Sequence, residues 1–212
     1  HRSGDSLMTA AHFIGGGKQS DRPEGDFYPT PPEVTQALLD ALLEDSLLAL
    51  GSPIWEPCCG DGAISEVLNI YGHDTINTDI TARMDDMSVS NFFDEESMPP
   101  GCNTIITNPP YMPVIKGKKK GVEAFIEHAF FILEGCDKMA LLLKTTALSG
   151  QARCKIMEAA GLHTLYQFRH RITLHKNGIV VNKGSGMVDF AWFYFEKGHR
   201  LPPIIKWISV DN

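Results

Sequence analysis

Positive charge is scarce in the first half of this sequence. Residues 1 to 112 hold 4 Lys and Arg against 18 Asp and Glu, a net of −14, whereas residues 113 to 212 hold 15 against 8, a net of +7. The total of −7 conceals that split. It leaves two readings: chance, with charges on solvated faces, or a polyanion that meets the C-terminal half. Long apolar runs are missing as well. The best, "MALLLK", is a buried strand's worth and far too short to span a bilayer, which excludes a membrane protein. The five cysteines include no C-x-x-C, Cys58 and Cys59 are adjacent and poorly placed for a mutual disulfide, and no histidine pair has helical zinc spacing. A reducing, metal-free, intracellular protein of the cytoplasm or nucleoid is expected.

What is present suits one domain. A chain of 212 residues, 43% hydrophobic and 21% charged, has an ordinary globular composition and room for one full core. Residues 1 to 25 read as a linker remnant followed by a mobile lead-in containing "GGGK" and "DRPEG", and residues 26 to 212 as the single domain. "TPPEVTQALLDALL" predicts a helix with Thr30 as N-cap, Pro31 at the first helical position and Glu33 closing a capping box. "SPIWEP", "HDTINTDI", "NTIITN" and "KMALLLK" read as strands, with "AISEVLNIY", "VEAFIEHAFFILEG" and "GQARCKIMEAAG" as helices between or after them. Alternating strands and helices imply a parallel sheet covered on both faces. The tail departs from this rule, because "HTLYQFRHRITL" and "MVDFAWFYFEKG" have no helix pattern between them and are expected to pair antiparallel.

Two stretches carry chemistry. "EPCCGDG" is a glycine turn between strand and helix, and Asp79 lies 19 residues beyond Gly60 at the end of the next strand, the arrangement that cradles a nucleotide. Glu56 and Asp61 would repel a pyrophosphate there and suit a ligand with an amino group and a positive centre. "TNPPY" ends a strand on an asparagine and two prolines, which cannot donate backbone hydrogen bonds.

"DFYPTPPEV", "EPCCGDGAIS", Asp79 and "NPPY", in this order and spacing, resemble the adenine-N6 DNA methyltransferases that depend on S-adenosylmethionine (AdoMet) and carry the N-terminal motif first. The resemblance is close over residues 26 to 111 and looser beyond. It implies a class I AdoMet methyltransferase (Rossmann-like) α/β fold: a mainly parallel seven-stranded sheet with the last strand antiparallel. It also implies methyl transfer to the exocyclic nitrogen of adenine, in DNA or in RNA, or to a glutamine side chain in protein. A binding module that kept the fold without turnover is the remaining reading.

The adenine amine is a poor nucleophile, so its hydrogens need acceptors; the resemblance assigns these to the Asn108 side chain and the Pro109 carbonyl, with Pro110 stiffening the turn and Tyr111 stacking on a flipped base. Tyr28 and Thr30 would line the methionine end of AdoMet, Glu56, Pro57, Cys58, Gly60 and Gly62 the loop beneath it, and Asp79 the ribose. Asn91 and Phe92 of "NFFDE" would meet its adenine, with Asp94 the competing acceptor. A further aromatic between the last strands is implied without a residue assigned. Lys116, Lys118, Lys119 and Lys120 of "KGKKKG", with Arg169 and Arg171 on a strand pattern, are candidate nucleic-acid contacts; solvated faces are the plainer reading. Trp192, Phe193, Phe195 and His128 read as structural. Target choice is expected from loops 112 to 121 and 174 to 187, from relaxed specificity, or from a protein partner or oligomer.

Overall fold

A computed structural model describes residues 28–49, 53–172, 174 and 188–210. The expected lead-in and nearly all of loop 174 to 187 fall outside the described residues. In chain order the elements are α1 (Pro32–Glu44), β1 (Ile54–Glu56), α2 (Ala63–Ile70), β2 (Thr75–Asp79), β3 (Ser88–Val89), β4 (Thr104–Thr107), β5 (Val114–Ile115), β6 (Lys118–Lys119), α3 (Glu123–Glu127), β7 (Lys138–Lys144), α4 (Gln151–Ala160), β8 (Leu162–Phe168), β9 (Phe190–Glu196) and β10 (Ile204–Ile208). A π-helical turn, His128–Ile132, continues α3. None of the described helices is long and apolar enough to cross a membrane.

Eight strands form one sheet in the order β10-β8-β9-β7-β4-β1-β2-β3. All neighbours are parallel except β9, which runs antiparallel to both β7 and β8. The expected antiparallel strand is therefore present but sits inside the sheet, and an eighth strand, β10, adds parallel to β8 at the edge. Sequence periodicity missed β10 because Ile204, Ile205 and Trp207 are exposed, so no buried-strand pattern marks it.

The period of two along each strand feeds two cores. On β9, Trp192 and Tyr194 enter the layer under α1 and α2, while Phe193 and Phe195 enter the layer under α3 and α4. α1 presents Val34, Leu38, Leu39 and Leu42 at helical spacing to the first layer and is tied to β9 by Trp192 Nε1 donating to the Val34 carbonyl at 2.9 Å. Its N-cap is Pro31, one residue later than expected, with no side-chain cap. Thr30 is released from capping and is buried. In the second layer Phe92 stacks on Phe125 at 4.0 Å and 12°, with Trp55 5.6 Å away and His128 edge-on at 4.9 Å. His128 Nε2 meets the Glu95 carbonyl at 2.9 Å and burial lowers its pKa, so it packs as a neutral ring.

β1, β2, β4 and β7 run parallel, so Glu56, Asp79, Asn108 and Lys144 all reach the same edge of the sheet. β8 shares their direction, since it and β7 are both antiparallel to β9. Every candidate residue from the strand ends therefore gathers at the carboxyl edge, where open α/β sheets place their ligands.

Candidate active site

Asn108 leaves β4 with its side chain half-buried and its amide held on both sides. Nδ2 donates to the Tyr28 carbonyl and to the Thr30 hydroxyl, each at 3.2 Å. A carbonyl only accepts, so Tyr28 fixes which end of the amide is nitrogen. Oδ1 is left facing Tyr111, whose hydroxyl donates to it at 3.0 Å. Burial raises the Tyr111 pKa far above its ordinary value and keeps that hydroxyl a donor. Pro109 is buried beneath the turn and Pro110 is exposed.

Two residues that sequence reasoning missed complete the surroundings of Tyr111. Lys144 Nζ lies 5.3 Å from the ring centroid, and the Phe190 ring lies 6.1 Å away, tilted by 38°. They are register partners at the end of β7 and the start of β9, so their meeting depends on where β9 inserts. Nothing local in the sequence encodes that.

The glycine turn is tied to β2 by backbone and carboxylate. Cys59 N–H donates to the Thr78 carbonyl at 3.0 Å and Gly60 N–H to Asp79 Oδ2 at 3.0 Å. Gly60 and Gly62 have φ of 56° and 85°, conformations that a side chain disfavours. Asp79 Oδ1 accepts from Thr81 N–H at 3.0 Å and from Arg83 at 3.1 Å. Arg83 was legible in retrospect: it is the sole Lys or Arg between residues 23 and 112, placed four after Asp79.

Glu56 is fully buried and its pKa is pushed up to about 8, chiefly by desolvation and further by Asp61 and Asp79, against the lowering effect of Ser65. The Ser65 hydroxyl lies within hydrogen-bond reach of both Glu56 Oε2 and Asn77 Oδ1. One hydroxyl proton cannot serve two acceptors. A neutral Glu56 carboxyl donating to Ser65, which donates to Asn77, satisfies all three groups. The neighbouring thiols are neutral too: burial pushes Cys59 up to about 12 and Cys58 well above its ordinary range, so neither is a nucleophile at neutral pH.

Other expected residues sit differently. Asn91 caps the short turn after β3, its Oδ1 accepting from Phe93 N–H at 3.3 Å. Phe92 is turned into the core, 3% exposed, instead of facing a ligand. Ile80, missed in the sequence, follows Asp79 and is 66% exposed, an apolar side chain beside a buried acid. Arg169 and Arg171 lie just past β8, which ends at Phe168, so they do not alternate along a strand. Arg169 is exposed, and Arg171 pairs with Asp189 at 3.0 Å.

No family model and no curated protein matches the sequence. Solved structures do. The type I restriction-modification methyltransferase subunit from Streptococcus thermophilus aligns with a TM-score of 0.60 at 14% identity, over 88% of this chain and 48% of that one. A protein from Listeria monocytogenes, described as a class I S-adenosylmethionine-dependent methyltransferase, aligns with a TM-score of 0.56 at 12% identity, over 84% of this chain and 65% of that one. This is the class I methyltransferase fold. A protein described as an RNA methyltransferase, from Pyrococcus horikoshii, shares it with a TM-score of 0.53 at 14% identity, over 80% of this chain and 87% of that one. The chain spans about half the length of the type I subunit it matches. Within the class I methyltransferase fold, the glycine turn after β1, Asp79 at the end of β2 and Asn108 after β4 occupy neighbouring strand ends of one edge.

Proposed function

We propose that this chain transfers a methyl group from AdoMet to the exocyclic N6 of adenine in DNA, with the base swung out of the helix onto Tyr111. The observation that carries this reading is the fixed amide of Asn108, whose oxygen points beside an aromatic ring. An adenine amine lends its lone pair to the ring and needs acceptors that favour a more tetrahedral nitrogen. Asn108 Oδ1 has a second lone pair beyond the one that Tyr111 uses, and the carbonyl of Pro109 is the other acceptor. Aligned dipoles of this kind stabilise the charge that develops on nitrogen without a strong base. Phe190, buried beside Tyr111, would back that ring from the core.

The residues at the glycine turn fit AdoMet. The group supplies an activated methyl on a sulfonium centre. Asp61 gives the turn a negative character that suits a positive ligand, Asp79 is paired with Arg83, and a neutral Glu56 avoids burying an unpaired charge. Tyr28 and Thr30, the turn from Glu56 through Pro57 and Cys58 to Gly62, Asp79 and Asn91 would hold it, and Ile80 offers an apolar face for a ring. Lys116, Lys118, Lys119, Lys120, Arg169 and Arg171 would meet backbone phosphates, and a further protein subunit would supply target choice. RNA is the second reading, supported by the larger share of the Pyrococcus horikoshii protein that this chain spans.

The test is to incubate the protein with AdoMet and, separately, duplex DNA, single-stranded DNA and RNA, then digest each and quantify N6-methyladenosine by mass spectrometry. Product from DNA is expected, falling at least about a hundredfold in Asn108→Ala. Product from RNA alone would move the substrate. Product from neither would overturn the nucleic-acid reading and point to glutamine in protein.

A further inference from the structure

We infer that β5 and β6 form a wedge that enters duplex nucleic acid and holds open the gap left by an extruded base. The inference rests on the proposed reading that a base is swung out, and it assigns the residues that replace it. The two strands pair antiparallel, Val114 with Lys119 and Ile115 with Lys118, and Lys120 N–H closes their base on the Pro113 carbonyl at 2.8 Å. Lys116 and Gly117 between them both have positive φ, 49° and 74°, the signature of a tight turn whose twist matches its strands. Lysine in that conformation carries a local cost, and it places a cation at the tip of the turn.

This hairpin begins three residues beyond Tyr111, and Met112 before it and Val114 at its start are apolar side chains with no core to join. Met112 is 53% exposed and Val114 is 60% exposed, while Pro113 between them is buried and anchors the strand. Exposed apolar side chains flanked by Lys116, Lys118 and Lys120 fit one class of partner. Cations alone would suit any polyanion, and apolar residues alone any greasy surface. Together they suit a duplex, where lysines neutralise phosphates and an apolar side chain fills an unstacked step. The wedge follows, three residues along the chain, the ring that would receive the displaced base, which links insertion to capture.

The experiment measures fluorescence anisotropy of labelled duplex DNA, fully paired or carrying one abasic site, with and without substitutions. The wild-type protein should bind the abasic duplex about tenfold more tightly, since the gap is already open. Met112→Ser combined with Val114→Ser should erase that preference. Lys118→Ala combined with Lys120→Ala should weaken binding to both duplexes and reduce the salt slope by about one for each phosphate that is no longer neutralised. All four side chains are exposed, and circular dichroism will show that the variants fold. Equal affinity of the wild type for the two duplexes, or an abasic preference that survives Met112→Ser with Val114→Ser, would overturn the wedge. A retained preference in a protein that methylates no nucleic acid would overturn the proposed reaction and leave the wedge standing.

Discussion

Asn108 is oriented before any substrate arrives, and its neighbours divide the work. Tyr28 and Thr30 hold the nitrogen, and Tyr111 touches the oxygen that a substrate amine would need. Removing the Tyr111 hydroxyl frees that oxygen without removing the ring, so Tyr111→Phe is expected to keep kcat within about threefold, since a single exchanged hydrogen bond is worth little net. Tyr111→Ala removes the stacking surface and should raise KM for the nucleic acid by about ten- to a hundredfold. Steady-state kinetics of the two variants separate ring from hydroxyl. Glu56 gives a second prediction at this scale. Its pKa rises from 4.5 in a solvated carboxyl to about 8 in the fold, so across that window the folded protein binds a proton that the unfolded chain does not. Stability from this group is complete below the lower value and is lost as pH rises through the upper one. Glu56→Gln keeps a donor for Ser65 and has no charge to bury. Thermal melts from about pH 5 to about pH 9 should show the wild-type Tm falling with pH more steeply than that of the variant.

Elements are held together by a few backbone positions, and two glycines show how different these are. Gly161 ends α4 at φ 83°, and a side chain there would meet the Glu196 carbonyl oxygen at 2.3 Å. Backbone of β9 cannot give way cheaply, so Gly161→Ala is expected to cost about 2–3 kcal/mol or more in urea unfolding. Gly62 has a similar φ of 85°, but its added carbon would meet only the flexible tip of Met84, at 2.9 Å. Gly62→Ala should cost about 1 kcal/mol, the conformational part alone. Gly161 was readable as a helix stop, and the strands "KMALLLK" and "NTIIT" were readable to within a residue because buried apolar runs leave few alternatives. The cap of α1 was not, because Thr30 spends its hydroxyl on Asn108, 78 residues away. The same limit hid Lys144 beside Tyr111 and made Phe92 look like a site residue when it stacks on Phe125. Sequence pattern reports periodicity and local punctuation. It does not report which distant side chain claims a polar atom.

Within the sheet the two halves of the sequence take opposite sides, although α1 of the acidic half crosses to pack on β9 and pairs Asp45 with Lys206 of β10. The sheet order places β4, β1, β2 and β3, all from the acidic half, on one side, and β7, β9, β8 and β10, all from the basic half, on the other. The boundary runs between β4 and β7, where Lys144 lies over the Tyr111 ring. A positive cofactor on the acidic side and a polyanion on the basic side would meet at that seam, each attracted to its own half and repelled by the other. Such an arrangement predicts unequal responses to salt. Nucleic-acid affinity should fall by about a hundredfold between about 50 mM and about 200 mM salt, as expected when roughly three or four neutralised phosphates release their counterions. AdoMet affinity should change by no more than about twofold, because a small ligand bound among buried groups is poorly screened. Anisotropy with a labelled duplex and calorimetry with the cofactor give the two dependences on one preparation. A nucleic-acid affinity as insensitive to salt as that of the cofactor would mean that the basic half is only a solvated surface.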